Sequence, residues 1–200
     1  DGVRTLPAKV FYEHRFSEIV VSKDVALVEE NAFYNCDSLL KVTFAPGGEG
    51  GLLFFGDAFK SCDVLRDILL PARLSGFDAD KFASCTALEN LMIEEGEDVA
   101  YVSDNGLLFN ESKNEIVFCP AGRTGSISFD SQVVSVGSGA FRNCKKITEV
   151  VFHGWMQSIG EGSFEDCTAL VKITFKGETN NEAVSLKIGK AAFQGCTELN

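Results

Sequence analysis

One spacing dominates the sequence. The skeleton F-x-x-C-x-x-L-x-x-[VIL]-x-[FLI], clearest over residues 162–175, recurs along nearly the whole chain. Its first Phe, position 0 of each copy, falls at Phe33, Phe59, Phe82, Phe141, Phe164 and Phe193. Three residues on stands Cys36, Cys62, Cys85, Cys144, Cys167 or Cys196. Five residues before position 0 the chain is apolar each time, at Val28, Phe54, Phe77, Val136, Ile159 and Ile188. The marker at position +11, Val21, Phe44, Leu70, Ile93, Phe129, Phe152 and Phe175, advances by 23, 26, 23, 36, 23 and 23 residues. A fixed period of this length means that one small unit stacks on the next, as in a solenoid, and that no single central core organises the chain.

Within a unit the periodicity changes. Positions 0, +3 and +6 share one face of a short helical or 3₁₀ turn, whereas +9 and +11 follow the two-residue alternation of a strand. The residue after the Cys is Asp37, Asp63, Thr86, Thr168 or Thr197, types that hydrogen-bond local backbone and end a turn, with Lys145 the exception. Phe16, Ile19 and Val21 stand at +6, +9 and +11 of a degenerate first copy, which puts Val10 at position 0 and Glu13 in place of the Cys. Residues 1–30 are therefore expected to form an N-terminal cap or worn first repeat, and the chain is expected to end within a repeat.

Two lengthenings read as surface loops: the glycine-rich stretch 45–51, which has no following G-K-[ST] and so no phosphate-loop frame, and residues 176–185 with Gly177 and Asn180-Asn181. In the 36-residue interval the turn motif is missing. Tyr101-Val102-Ser103 and Leu107-Leu108-Phe109 flank Asp104-Asn105-Gly106, which predicts strand, tight turn, strand, and Ile116-Val117-Phe118 predicts a further strand. Residues 98–122 thus read as a small β-hairpin or meander that replaces the turn of one unit.

Composition narrows the function classes. Of 200 residues 45% are hydrophobic, the net charge is -11 and the pI is about 4.6. That sign disfavours nucleic acid and anionic membrane surfaces, both of which draw affinity from clustered Lys and Arg. No apolar run approaches the length of a membrane span, the longest patch being Leu52-Leu53-Phe54-Phe55. Six of the seven cysteines recur at one repeat position, where neighbouring Cβ atoms are too far apart for a disulfide, so free buried thiols acting as small apolar wedges are expected. The stretch from Asp1 carries no charged and apolar pattern of a secretion signal.

The string Ala140-Phe141-Arg142-Asn143-Cys144 through Phe152, with Val136-Gly137 ahead of it, resembles the BspA-type leucine-rich repeat, a 23-residue class of bacterial and protist surface proteins. Asn105-Gly106-Leu107-Leu108-Phe109-Asn110 followed by Cys119-Pro120-Ala121-Gly122 is similar to a hairpin that interrupts such arrays. The resemblance covers roughly residues 16–200 and departs from the commonest leucine-rich consensus in placing the Cys in the turn, not after the strand. It implies an α/β repeat: a right-handed solenoid, here one unit over 1–200, with a parallel β-strand ladder, short helical turns opposite and the hairpin insertion. It also implies a protein partner from a host, matrix or cell surface, an extracellular or cell-surface address, and no shared catalytic residues.

If +9 and +11 face the core, then +8, +10 and +12 face outward. The candidate protein-binding face is Lys41, Thr43, Asp67, Leu69, Asn90, Met92, Glu94, Glu149, Val151, His153, Lys172, Thr174 and Lys176, with Leu69, Met92 and Val151 as an apolar stripe. With only His14 and His153 and no HExxH, CxxC pair, GxSxG or EF-hand string, no catalytic, metal or cofactor site is expected. Cys119 reads as a buried strand end, Trp155 as rim packing, and Asn110-Glu111-Ser112 as a formal glycosylation sequon. Two functions fit: a non-catalytic binding module of a surface or secreted protein, and an intracellular or periplasmic assembly scaffold.

Overall fold

The computed structural model describes residues 2–54, 56–97, 99–176 and 185–200. The lengthening that holds Gly177 and Asn180-Asn181 lies outside them. In chain order the first strands are β1 (Thr5–Leu6), β2 (Glu18–Val21), β3 (Leu27–Val28), β4 (Lys41–Phe44), β5 (Leu53–Phe54), β6 (Asp67–Leu70) and β7 (Asn90–Ile93). Then come β8 (Tyr101–Asp104), β9 (Leu107–Asn110) and β10 (Glu115–Phe118). The last are β11 (Gly125–Phe129), β12 (Ser135–Val136), β13 (Ile147–Phe152), β14 (Ser158–Ile159), β15 (Lys172–Phe175) and β16 (Lys187–Ile188).

The longer strands form the expected parallel ladder in two blocks, β2-β4-β6-β7 and β11-β13-β15. Register sets like on like: Ile19 beside Val42, Val42 beside Ile68, Ile68 beside Leu91, and Val150 beside Ile173. A second, shorter ladder runs through position −5. It pairs β1 with β3 and β3 with β5, and carries Ile116, Val136, Ile159 and Ile188 side by side through β10, β12, β14 and β16. Two-residue strands are too short to show alternation, which is why only their apolar second residue is visible in the sequence. No helix of the described residues is long and apolar enough to cross a membrane.

The turns differ from expectation. Among the described residues only Ala79–Phe82 is a helix, and it is 3₁₀. Elsewhere alternate N–H groups point in different directions. Ala32, Tyr34 and Cys167 donate three residues back within their own turn, to Glu29, Asn31 and Phe164. Phe33 and Asn35 donate to Ala58 and Lys60 of the next coil, as Phe141 and Asn143 do to Ser163 and Glu165. Such alternation needs left-handed residues, and Asn31, Asn35, Asn143 and Asp166 have φ of 59, 58, 62 and 59°. Each turn is thus a third hydrogen-bonded ladder, and a helix, whose N–H groups all stay internal, cannot supply it. The 3₁₀ segment lies in the coil that precedes the insertion, where among the described residues no backbone N–H of the turn donates to the following coil.

The same pattern corrects the start of the chain. Phe11 N donates to Ala32 O at 2.9 Å and the Phe11 ring stacks on Phe33 at 5.1 Å, so Phe11 and not Val10 occupies position 0, and His14 stands where the Cys would be. The file continues through Phe33 on Phe59 at 4.9 Å and Phe59 on Phe82 at 5.6 Å, and again through Phe141, Phe164 and Phe193 at 4.7 and 5.4 Å. Stacked pairs of this kind add about 0.5–1.5 kcal/mol each beyond the area they bury.

All seven cysteines are free. Beyond filling space, the repeat thiols are donors: Cys36, Cys62, Cys167 and Cys196 each reach the position-0 carbonyl of the preceding coil, of Phe11, Phe33, Phe141 and Phe164, at 3.0 Å. Burial pushes the Cys85 thiol up to about 12 and raises Cys144 and Cys167 as well, which keeps the donor proton in place. An unfolded thiol titrates near ~8.5. The folded chain therefore holds protons that the unfolded chain releases above that pH, so this stability is complete below it and is lost as pH rises toward the folded value. Raising the pH from 7.5 to about 9.5 should cost roughly 1 kcal/mol for Cys85 alone. Thermal unfolding at the two pH values should show a correspondingly smaller loss for Cys85→Val; equal losses would mean that the thiol is not withheld from solvent.

At the 36-residue interval β8 and β9 form the expected hairpin, with Asn105 and Gly106 at φ 50 and 77°, the two positive values of a tight I′ turn. A Cβ on Gly106 would also lie 2.5 Å from Asn90 Oδ1. The hairpin covers the edge of β7, where Leu91 N donates to Gly106 O at 3.0 Å and Ile93 N to Ser103 Oγ at 2.9 Å. Its side chains serve two cores. Leu108 and Phe118 belong to the cluster built from Leu6 to Ile93, whereas Leu107, Phe109, Ile116 and Cys119 belong to the cluster that runs on to Ala192. Cys119 N donates to Ala140 O at 2.7 Å, so this odd cysteine stands at position 0 of the insertion coil. Across the outside, Arg142 pairs with Asp80 before the insertion and with Glu165 after it.

The loop 45–51 is not free. Arg73 donates to Lys23 O at 2.7 Å, Gly47 O at 2.8 Å and Val25 O at 2.8 Å, with Gly50 O at 3.4 Å. Only a planar, five-donor guanidinium can reach so many carbonyls at once. Arg73→Lys should leave several of them unpaired and make residues 45–51 the first site of limited proteolysis, with a loss of about 1–3 kcal/mol. Cleavage at an unchanged rate would show that the loop is ordered by other contacts.

Candidate binding face

The strands place the predicted residues in rows. In the first block, register brings Glu18, Lys41, Asp67 and Asn90 into one row and Val20, Thr43, Leu69 and Met92 into the next. In the second, Glu149 stands beside Lys172, and Val151 between Ser128 and Thr174. Charge alternates along the first row, and Asn90 Nδ2 donates to Asp67 Oδ1 at 2.8 Å. Lys172 Nζ lies 3.7 Å from Glu149 Oε1, to which Thr174 Oγ1 donates at 3.4 Å. Opposite charges directly across a sheet favour the register by about 0.2–1 kcal/mol, less where solvent screens them.

Exposure sorts the candidates. Lys41, Met92, His153, Lys172 and Lys176 are exposed, and Thr43, Asp67, Leu69, Asn90, Glu94, Glu149 and Thr174 are half-buried. Val151 departs from expectation: it lies outside the core cluster of Val150 and Phe152, yet only 7% of it is exposed. Strand position accounts for this. Val151 has neighbours in register on both sides, whereas Val20, on the edge strand β2 with Thr43 alone beside it, is 70% exposed. The apolar stripe therefore belongs to the first block, as Val20, Leu69 and Met92. Glu18 and Val20 were absent from the expected face, although Ile19 and Val21 at +9 and +11 of the degenerate copy already imply that the residues between them point outward.

The remaining chemistry-bearing residues are occupied structurally. His14 packs on Phe16 at 4.7 Å, and His153 Nε2 is 3.1 Å from Ser128 Oγ. Cys119 is fully buried, as expected of a strand end, and Trp155 is half-buried. The Asn110 amide of the sequon is engaged within its turn, donating to Asn114 Oδ1 at 2.7 Å and accepting from the N–H groups of Asn114 and Glu115. Asp104 pairs with Lys113 at 3.2 Å. Among the described residues no three His, Cys, Asp or Glu side chains gather where a metal ion could be held.

Comparison with known proteins agrees with this geometry. The family described as BspA type leucine rich repeat region matches residues 4–120 and 111–200, in six copies. A search of curated proteins finds no match. Among solved structures, the pneumococcal vaccine antigen PcpA aligns with a TM-score of 0.61 at 15% identity, covering 98% of this chain and 66% of that one. A leucine rich cell surface protein from Faecalibacterium prausnitzii aligns with a TM-score of 0.53 at 19% identity, covering 98% and 69%. A leucine-rich repeat protein from Bacteroides ovatus gives 0.52 at 23%, covering 98% and 51%. The chain thus spans between half and about seven tenths of the length of these proteins. At such identities the likeness establishes the fold, and the repeat match establishes the lineage: the chain belongs to the BspA-type leucine-rich repeat family.

Proposed function

We propose that this chain is a non-catalytic, protein-binding segment of a cell-surface or secreted protein, and that its strand face engages a host, matrix or surface protein. The observation that carries the reading is the row of Val20, Leu69 and Met92 beside the alternating Glu18, Lys41 and Asp67, with Val20 70% and Met92 36% exposed. Apolar residues aligned on a rigid sheet and rimmed by charge have the composition of an interface. The surface address rests on the neighbours, one of which is a cell surface protein and another a vaccine antigen. Residues 1–200 form one binding unit in this reading, with the hairpin as its interruption and Glu149, Lys172, Thr174, His153 and Lys176 as the polar continuation of the face.

The double variant Val20→Glu, Met92→Glu should lose at least about tenfold of the capture of extracellular-matrix proteins on the immobilised chain, because like charge and desolvation replace apolar contact. Its melting temperature should stay within about 2 °C, since neither side chain belongs to a core. Undiminished capture would move the site off this face. Labelling of the native protein on intact cells separates a surface module from an internal scaffold: a wholly internal pool would overturn the address.

A further inference from the structure

The insertion leaves one interior sheet edge open. β7 is covered by the hairpin, but β11 pairs only with β13 and, among the described residues, has no strand on its other side. His153 N donates to Phe129 O, so Ile127 and Phe129 spend their backbone groups on β13. In a parallel ladder the intervening residues point the other way, and the N–H and C=O groups of Ser126, Ser128 and Asp130 therefore face a cavity of about 280 Å³ between β11 and the hairpin. Leu107 and Phe109, which share a core cluster with Phe129, line this cavity, as do Asp104 and its partner Lys113.

We infer that the free edge of β11 is a docking site for an extended peptide segment that adds as a strand antiparallel to it, with alternate small or apolar side chains and an acidic group at its C-terminal end. A row of unspent backbone donors and acceptors is satisfied by another extended backbone. Alternation follows from the core side of β11, since every second side chain of an added strand points the way of Ile127 and Phe129, toward the cluster that holds Leu107 and Phe109. Direction follows from charge. Arg123 stands just before β11, half-buried and in no ion pair among the described residues, and Asp130 stands just after it, exposed. An antiparallel strand brings its C-terminal end to Arg123 and its N-terminal end to Asp130, which matches both signs; a parallel strand mismatches both. This site is separate from the Val20–Met92 row, and its test uses different variants, so either reading can fail alone.

The probe is the hexapeptide Lys-Val-Thr-Val-Thr-Glu with a free carboxylate, titrated into the isotopically labelled chain. In the free protein the amides of Ser126 and Ser128 should exchange with solvent at least about tenfold faster than those of Ile127 and Phe129, and the peptide should protect them. Ser128→Pro should keep the melting temperature, because proline is tolerated where an edge N–H faces away from its sheet, and should weaken the peptide at least about tenfold. Arg123→Glu should weaken it about fivefold or more. Should Ser128→Pro fail to fold, a peptide N-methylated at alternate amides supplies the same control on the unaltered chain and should not bind. Slow exchange at Ser126 and Ser128 in the free protein, undiminished binding of the N-methylated peptide, or no response of β11 at millimolar peptide would overturn the proposal. A concentration-dependent dimer that buries β11 would assign the edge to a second copy and overturn it equally.

Discussion

Lateral hydrogen bonding between coils is the constraint from which the rest of this molecule follows. The backbone of each coil must be satisfied by its neighbours on three sides: along the long strands, along the two-residue strands and around the turns. Side chains are then free to serve packing. That is why Phe33 stacks on Phe59 and Phe141 on Phe164 with ring planes 7 and 15° apart. It is also why a cysteine recurs in the turn. A buried thiol is small enough to sit beneath the Phe file and still donates to the carbonyl one coil back, so one residue type meets a packing demand and a polar one together.

The long ladder was legible because its demands are written at single-residue resolution. Positions +9 and +11 turn toward the core in strands that pair in register, are buried in the interior coils and more exposed at the ends of the blocks, as at Phe175, and each is apolar in every copy. The turn was misread for a physical reason. A 3₁₀ or helical turn and an alternating left-handed turn both bury residues three apart, so spacing alone does not separate them. The separating signal is the asparagine, aspartate or glycine two residues either side of the Phe, at Asn31 and Asn35, Gly139 and Asn143, or Gly162 and Asp166. The same signal was unavailable at the worn first copy, where Lys9 and Glu13 take positive φ values that their residue types do not announce.

Less of the candidate face was legible, and the reason is again specific. Alternation along a strand says which way a side chain points and nothing about what stands next to it. Val20 and Val151 are chemically identical and point the same way, but one lies on an edge strand and the other between two strands. Only the order of strands distinguishes an exposed valine from a covered one. The role of Arg73 was illegible for a related reason, since its four carbonyl partners come from residues 23, 25, 47 and 50 and share no pattern with it.

The hairpin has a bearing on how the molecule comes apart and together. In a uniform stack, ordering one coil lowers the cost of ordering the next, and structure spreads along the array as it does in a one-dimensional chain of coupled units. Strand β9 turns Leu108 to one side and Leu107 and Phe109 to the other, and among the described residues the stacked files of Phe33 and of Phe141 make no ring contact with each other and no ladder of the long strands crosses the boundary. Coupling between the halves runs through the insertion, which is hydrogen-bonded to β7 through Gly106 and Ser103 and to Leu88 through Gly122, packs into both cores, and passes on to the second half at β10 and across the Arg142 bridge. The insertion therefore makes the joint between the halves one of side-chain packing and a few cross-bonds, whereas within each half the long strands carry a continuous backbone ladder, and cooperativity in such an array is lowest where that ladder is interrupted.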